Sequence, residues 1–214
     1  MFEIAFIDFD ETLFNRYDFK KKIADFFMSL GVTREDYEKS YLLSRNTYSP
    51  KINDYSFEEH IEFLQNFGYN FDCKNTLKEL NKIFLKIKLA DDADYFLNNM
   101  KKFSQKNILL SVGQKDFQMK KIRFTNVKKY FDKVQVLDGG KEVYLNKVLK
   151  KNKQYLFIND DIKENILIKN FFNNVVVISK TDLKKYSLED YKKSQIPFFN
   201  TLTEIFEYVQ TKYQ

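Results

Sequence analysis

The chain has 214 residues, of which 31% are charged and 43% hydrophobic, and this balance excludes a disordered chain and leaves room for a buried core. Its five glycines and two prolines exclude collagen-like, Gly-rich and Pro-rich classes. The net charge of +6 comes mainly from lysines scattered along the chain, with only four arginines, and this pattern argues against a nucleic-acid partner.

Five short apolar runs have the length and composition of strands that are buried on both faces of a sheet. They cover residues 4–7, 108–112, 134–137, 155–158 and 175–178. Helical patterns over residues 117–124, 143–149 and 162–172 separate the last four runs. This alternation of strands and helices predicts an α/β fold with a parallel sheet.

Residues 15–100, between the first two predicted strands, show helical spacing and no convincing strand pattern. Thr33 precedes two acidic residues, and Ser56 precedes a glutamate at capping-box spacing, so each is a predicted helix N-cap. A block of this length is too long for an ordinary connection between a strand and a helix. We therefore predict an inserted helical domain over residues 15–100 and a core domain formed by residues 1–14 and 101–214.

Two carboxylates and a hydroxyl follow the first predicted strand, in the order Asp8, Asp10 and Thr12. Ligands of open α/β sheets bind at the carboxyl ends of the strands, which is where these side chains lie. A pair of carboxylates can divide the roles of nucleophile and proton carrier, and Mg²⁺ prefers oxygen ligands. The alternative is a turn in which Asp and Thr only cap a helix.

The segment from Asp8 to Leu13 resembles the first motif of the haloacid dehalogenase-like hydrolase superfamily, whose members are mostly Mg²⁺-dependent phosphatases. The resemblance implies a Rossmann-like parallel sheet core with an inserted α-helical cap. It also implies that Asp8 is the nucleophile that forms an aspartyl-phosphate, that Asp10 is the general acid and base, and that both contribute to a Mg²⁺ site. A dehalogenase proper lacks the second aspartate, so Asp10 favours phosphoryl transfer over dehalogenation.

The second motif of the family is a serine or threonine at the end of an apolar strand, and Ser111 matches it. By this resemblance Ser111 and Val112 bind the substrate phosphate, and Gly113 permits close approach of the backbone. The third motif is a lysine that offsets the charge of the phosphate and the carboxylates. Lys141 and Lys147 are both candidates, and we favour Lys141 because it lies in the loop after the third predicted core strand.

An acidic cluster follows the predicted strand at residues 155–158 and resembles the fourth motif. The resemblance makes Asp160 the main Mg²⁺ ligand of this cluster, with Asp161 and Glu164 as candidate supporting acids. Asn159 stands where many members carry glycine. The register between Asp160 and Asp161 stays open, because acidic residues at a helix N-terminus also stabilise the helix dipole.

Arg16, Arg45 and Tyr48 are candidate contacts from the helical insert to the substrate. The single histidine, His60, has no partner histidines for a metal site, and the single cysteine, Cys73, excludes an internal disulfide. The chain has no signal-peptide pattern and no apolar run long enough to span a membrane, so we expect a cytoplasmic protein without a membrane partner.

These motifs predict a Mg²⁺-dependent phosphatase that hydrolyses a small phosphorylated metabolite. One alternative is a sugar phosphomutase or another phosphotransferase of the same fold, in which the phosphoryl group passes to a second hydroxyl. Others are a non-catalytic binding protein that keeps the fold, and a nucleic-acid-end phosphatase or binding protein, suggested by the net charge of +6. The sequence leaves the substrate and the oligomeric state open.

Overall fold

The computed structural model describes residues 1–45 and 55–213, and its centre is a sheet of six parallel strands. The strands are β1 (Phe2–Ile7), β2 (Ser104–Val112), β3 (Lys133–Leu137), β4 (Tyr155–Asn159), β5 (Val175–Lys180) and β6 (Phe198–Phe199). Their order across the sheet is β3-β2-β1-β4-β5-β6, and each neighbouring pair is parallel. The predicted α/β fold with a parallel sheet is therefore confirmed.

The helices form two groups along the chain. Between β1 and β2 lie α1 (Arg16–Ser29), α2 (Arg34–Ser44), α3 (Phe57–Asn66), α4 (Cys73–Ile83) and α5 (Ala93–Met100). After β2 lie α6 (Lys115–Phe124), α7 (Lys141–Val148), α8 (Ile162–Phe171), α9 (Leu188–Ser194) and α10 (Leu202–Tyr213). Of the helices in the described ranges, none is both long enough and apolar enough to cross a bilayer.

The predicted helical insert contains α1 to α5 in its described part, together with an isolated bridge between Phe14 and Leu89. Both N-cap predictions are confirmed, because the side chains of Thr33 and Ser56 each accept a backbone N–H from the first turn of the helix that follows. That the insert works as a separate cap domain stays a prediction.

A continuous apolar cluster joins the sheet to this helical insert. Along β1, Ala5 and Ile7 belong to the cluster, whereas Phe6 belongs to a smaller cluster on the opposite face, as the alternation of a strand requires. The larger cluster extends to the fully buried Phe27 of α1 and Leu64 of α3. The insert and the sheet therefore share one hydrophobic core.

The carboxyl ends of β1, β2 and β4 lie side by side, because β1 pairs with both of the other strands. Ile7 pairs with Leu109 of β2 and with Ile158 of β4. The residues that follow these positions, including Asp8 and Asp160, are therefore brought together at one edge of the sheet.

Candidate active site

Asp8 is buried directly after β1 and is held by a lysine from α7. Its backbone N–H donates to the carbonyl of Ile158 at 2.9 Å, which extends the pairing of β1 with β4 by one residue. Lys141 Nζ donates to Asp8 Oδ1 at 2.7 Å, and the two side chains are 4% and 8% exposed, respectively. No side chain in the described residues hydrogen-bonds to Asp8 Oδ2, so this oxygen is available to a reacting group.

Lys141 is the first residue of α7 and bridges three side chains of the site. Besides Asp8, its Nζ donates to Glu164 Oε2 at 2.8 Å and to Asn159 Oδ1 at 3.1 Å. Burial lowers the pKa of Lys141, but the charges of Asp8 and Glu164 outweigh burial and raise the pKa above its usual range. Lys141 is thus a fixed cation beside Asp8, whereas the other candidate, Lys147, is exposed near the end of α7.

Asn159 organises the surroundings of Lys141, a role that sequence reasoning missed. Its Nδ2 donates to Glu164 Oε2 at 2.9 Å and to Asn165 Oδ1 at 3.1 Å, while its Oδ1 accepts from Lys141. Asn165 in turn donates to Ser179 Oγ of β5 at 2.8 Å. An asparagine at a strand end is equally typical of a turn, so the sequence carries little signal for this role.

Asp160 follows β4 and lines the same cleft as Asp8. Burial raises the pKa of Asp160 well above its usual range, and the negative charge of Asp8 raises it further. Burial also raises the pKa of Asp8, despite its contact with Lys141. Acidic side chains outnumber basic ones among the described residues that line this cleft, and a bound cation would lower the pKa values of both Asp8 and Asp160.

The donor set of this cleft fits Mg²⁺ with two carboxylates. Mg²⁺ is usually bound through one or two carboxylates, with waters and substrate phosphates at its other positions. Asp8 and Asp160 supply the carboxylates in a cavity of about 530 Å³. Within residues 1–45 and 55–213, no three Asp, Glu, His or Cys side chains are grouped closely enough to hold a metal. Asp10, the third predicted contributor to the metal site, lines the same cleft, although its carboxylate is bound to side chains of α6.

The Asp10 carboxylate is bound by two side chains of α6. Lys121 Nζ lies 2.6 Å from Oδ1 and 2.8 Å from Oδ2, and Gln118 Nε2 donates to Oδ2 at 2.8 Å. Burial alone would raise the pKa of Asp10, but the charge and hydrogen bonds of Lys121 and the hydrogen bond of Gln118 hold the pKa below its usual range. Asp10 is therefore an ionised carboxylate next to the Asp8 cluster, and its part in binding metal stays a prediction.

Lys121 is a second site residue that sequence reasoning missed. It is 3% exposed, and burial lowers its pKa despite the charge of Asp10. Its Nζ lies 5.5 Å from the ring centroid of Phe14 and 5.9 Å from that of Phe117. With 36 basic residues in the chain, the presence of one lysine does not indicate a functional role. The available signal was its spacing from Phe117 and Gln118, which places all three on one face of α6.

The end of β2 contributes Ser111, Val112 and Gly113. Ser111 is 2% exposed and lines the cleft of Asp8, and its hydroxyl forms no hydrogen bond with the described residues. The carbonyl of Val112 accepts from Gln118 Nε2 at 3.0 Å. Gly113 has φ +141°, and a Cβ there would lie 3.0 Å from Gln118 Nε2, so glycine leaves Gln118 in place. The phosphate-binding roles of Ser111 and Val112 stay predictions.

Asp161 caps α8, although it also borders the cleft. Its Oδ1 accepts two backbone N–H groups of the first turn of α8 at 2.9 Å and 3.0 Å. Burial would raise the pKa of Asp161, but hydrogen bonds from Lys185 and from the helix backbone hold it below its usual range. The structure thus places Asp160, rather than Asp161, beside Asp8, and the supporting role of Asp161 stays a prediction.

The candidate contacts from the helical insert lie at different places. Arg16, the first residue of α1, lines both the cleft of Asp8 and a neighbouring cavity. Arg45, the residue after α2, lines the neighbouring cavity. Tyr48 lies outside the described residues. The structure therefore brings Arg16 to the predicted site and Arg45 to the cavity beside it.

No family model and no curated protein matches this chain, but solved structures do. YfnB of Bacillus subtilis, described as a HAD-type hydrolase bound to magnesium, is 15% identical with a TM-score of 0.62, over 97% of this chain and 98% of that chain. The L-2-haloacid dehalogenase of Xanthobacter autotrophicus is 15% identical with a TM-score of 0.62, over 99% of this chain and 100% of that chain. A protein of Thermotoga maritima described as a β-phosphoglucomutase is 14% identical with a TM-score of 0.61, over 98% and 99% of the two chains.

These similarities extend over nearly the whole of each chain, so they include the helical insert as well as the sheet. At this level of identity they establish the fold and leave the reaction open. The chain therefore has the fold of the haloacid dehalogenase-like hydrolases, as the motifs at Asp8, Ser111, Lys141 and Asp160 predict.

Proposed function

We propose that this chain is a Mg²⁺-dependent phosphatase that hydrolyses a small phosphorylated metabolite through an aspartyl-phosphate on Asp8. The observation that carries the proposal is the meeting of Asp8, Asp160 and Lys141 in one cleft at the carboxyl edge of the sheet. A nucleophile, a carboxylate for the metal and a fixed cation are the parts that phosphoryl transfer requires. The similar structures support this proposal at the level of the fold.

In the first half of the proposed reaction, a carboxylate oxygen of Asp8 attacks phosphorus, and the bond from phosphorus to the leaving oxygen breaks. The hydroxyl of Ser111 donates a hydrogen bond to a phosphoryl oxygen, and Lys141 exchanges its hydrogen bond to Asn159, the longest of its three, for one to the phosphoryl group. The leaving oxygen takes a proton from Asp10, and the nearest source of that proton is the ammonium group of Lys121, 2.6 Å from Asp10. The products are a free alcohol and an aspartyl-phosphate.

In the second half, water attacks phosphorus, the bond from phosphorus to the Asp8 oxygen breaks, and phosphate leaves. Asp10 accepts a proton from this water, and its lowered pKa keeps it ionised for that role. Mg²⁺, when held by Asp8 and Asp160, neutralises charge on the phosphoryl oxygens and so reduces their repulsion of the nucleophile.

A phosphatase screen over sugar phosphates, nucleotides, FMN and 5′-phosphorylated oligonucleotides tests the proposal. We expect phosphate release from at least one ester with Mg²⁺ present, and none after EDTA removes the metal. Asp8→Asn should lower kcat by at least about 10³-fold, because it removes the nucleophile. Asp138→Asn changes an exposed aspartate just after β3 and should keep full activity. Full activity in Asp8→Asn would rule out the assigned nucleophile.

Two other reactions have a counterpart among the similar structures. A phosphotransferase would pass the phosphoryl group from Asp8 to a second hydroxyl, and isomerised sugar phosphate without free phosphate would identify it. A dehalogenase would release chloride from 2-chloropropionate. We favour phosphate hydrolysis over dehalogenation because the chain carries Asp10, held as a carboxylate by Lys121 beside the cleft. Chloride release with no phosphatase activity would reverse this preference.

A further inference from the structure

Two cavities of opposite charge adjoin at Asp10, Arg16 and Val112. The first is the catalytic cleft around Asp8 and Asp160. The second, which we call the cationic pocket, has a volume of about 200 Å³ and lies between α1, the end of α2 and the start of α6. Its charged lining side chains, within the described residues, are four basic and one acidic, namely Arg16, Lys20, Arg45, Lys121 and Asp10.

Most of the positive charge of the cationic pocket is not neutralised. Lys121 is bound to Asp10, and Arg16 has only a long contact of 3.8 Å with Glu11. Neither Lys20 nor Arg45 forms a salt bridge with a carboxylate in the described part of the chain. Burial lowers the pKa of Lys20, and the nearby arginines lower it further. The charges of Asp10 and Glu11 stabilise Arg16, and Glu38 partly offsets the repulsion at Lys20. An anion bound beside Lys20 and Arg45 would relieve the repulsion that remains.

An aromatic wall fixes two of these cations. Lys20 Nζ lies 4.0 Å from the ring centroid of Tyr41, and Arg45 Cζ lies 5.5 Å from the same centroid. The ring of Tyr41 packs against Tyr37 at 6.0 Å and against Tyr55 at 5.1 Å between centroids. Because this wall is itself packed, the two cations are held in the pocket before a ligand arrives.

The cationic pocket also contains a buried acceptor that lacks a donor. Gln118 is 6% exposed, and its Nε2 donates to Asp10 and to the carbonyl of Val112. Its Oε1 accepts no hydrogen bond from the described residues. A hydroxyl group of a bound molecule would satisfy this oxygen. The pocket is thus prepared for a polar ligand next to Asp10, the residue that we propose to transfer protons.

We propose that the substrate carries a second anionic group, a carboxylate or a second phosphate, on the side of its leaving oxygen, and that Arg16, Lys20 and Arg45 bind this group. The inference rests on the proposed phosphatase function and adds the class of the leaving group. Asp10 lines both cavities, so a phosphoryl group in the catalytic cleft places the leaving oxygen near Asp10 and the rest of the substrate in the cationic pocket. A cavity of about 200 Å³ suits a leaving group of a few carbon atoms.

Matched pairs of phosphate esters test the second anion. 3-Phosphoglycerate and glycerol 3-phosphate differ by a carboxylate in place of a hydroxymethyl group, and propane-1,3-diol bisphosphate differs from its monophosphate by the second phosphate. We expect kcat/KM to be at least about tenfold higher for the anionic member of at least one pair. The pair with the larger ratio tells whether the group is a carboxylate or a phosphate. Equal kcat/KM within both pairs overturns the inference.

Variants of the cationic pocket then test whether its basic residues cause the preference for the anionic substrate. The double variant Lys20→Gln/Arg45→Gln should reduce the ratio of kcat/KM between the two members by at least about fivefold. Lys22→Gln is the matched control, because Lys22 is also on α1 but pairs with Asp18 and lies outside the pocket. The control should keep the wild-type ratio. An unchanged ratio in the double variant means that the anion binds elsewhere.

Calorimetric binding of the same four compounds to Asp8→Asn protein separates this inference from the phosphatase proposal. Tighter binding of the anionic members, together with no turnover of any ester by wild-type protein, would remove the phosphatase and retain the anion site. Turnover with equal binding and equal kcat/KM within each pair would retain the phosphatase and remove the anion site. Tighter binding together with faster turnover of the same anionic member would support both the phosphatase and the anion site.

Discussion

Lys121 Nζ lies between the two carboxylate oxygens of Asp10, 2.6 Å from one and 2.8 Å from the other, with side chains that are 4% and 17% exposed. This ion pair connects α6 to the segment after β1, which are far apart in sequence. Since both charges are largely withdrawn from water, each depends on the other for its solvation.

A double-mutant cycle should expose this dependence. Lys121→Met leaves the Asp10 carboxylate without its cation and should cost about 3 kcal/mol of stability at pH 7. Adding Asp10→Asn should recover at least half of that loss, because no unpaired charge remains. Urea unfolding measures both values. Removing the pair of Lys153 and Glu3, which is more exposed, should cost less than about 1 kcal/mol, and a similar cost at both pairs would contradict the prediction.

Gly113→Ala should destabilise the chain, whereas Gly139→Ala should not. A Cβ at Gly113 combines a φ of +141° with a contact of 3.0 Å to Gln118 Nε2, while a Cβ at Gly139 meets nothing within 4 Å. We expect a loss of about 1–3 kcal/mol for Gly113→Ala and a change within about 0.5 kcal/mol for Gly139→Ala. Thermal unfolding of both variants provides the check, and equal Tm values for the two would show that Gln118 moves aside freely.

Substitutions of Asp160 and Asp161 should have different effects on Mg²⁺ binding and on stability. Asp160→Asn removes a carboxylate from the cleft of Asp8 and should abolish most of the increase in Tm that Mg²⁺ produces in the wild type. Asp161→Ala removes the N-cap of α8 and should cost about 1 kcal/mol while it preserves the Mg²⁺-induced increase. The reverse pattern would assign the metal to Asp161. Differential scanning fluorimetry with and without Mg²⁺ makes this comparison.

His60 should make stability fall in mild acid. It is fully buried, with Ser40 Oγ 2.9 Å from Nε2 and Tyr55 OH 2.8 Å from Nδ1, and burial lowers its pKa from 6.5 to about 3. Below pH 6.5 the unfolded chain gains a proton that the folded chain does not, so folding stability decreases as pH falls toward 3.

The expected loss from His60 is about 2 kcal/mol between pH 7.5 and pH 5, and the slope approaches about 1.4 kcal/mol per pH unit below pH 6. His60→Gln should flatten the dependence of the unfolding free energy on pH by this amount, whatever its effect on stability at pH 7.5. Chemical denaturation at several pH values measures both slopes. Parallel curves for the two proteins would mean that His60 takes up its proton in the folded state.

Much of the fold was predictable because each of its five longer strands contains a run of wholly or mostly apolar residues. The start of β2 was not, since all four residues from Ser104 to Asn107 are polar although Phe2 pairs with Ser104 in the sheet. The two-residue strand β6 is too short to show any period. No element after β5 was predicted from the sequence. The buried residues of α10 nevertheless recur at helical spacing, so this helix could have been predicted from the sequence.

The side chains at strand ends were predictable because parallel topology alone brings Asp8, Ser111 and Asp160 to one edge of the sheet. The partners of those side chains were not. Whether Lys121 turns toward Asp10 depends on how α6 is rotated against its neighbours, and that rotation is set by packing rather than by local sequence. For the same reason the pairing of the Asp10 carboxylate with Lys121 was not predictable from the sequence.

Because the sheet and the insert share one hydrophobic core, the insert is not expected to fold or to be exchanged independently of the sheet. Ile7 of β1 lies in the same apolar cluster as Phe27 of α1 and Leu64 of α3, so excising the insert would expose part of the cluster that includes β1. The two parts should therefore unfold in a single cooperative transition. An insert from a protein of the same fold could be grafted here only together with the apolar residues of the sheet that it covers, so changes in the insert should be coupled to the packing of β1.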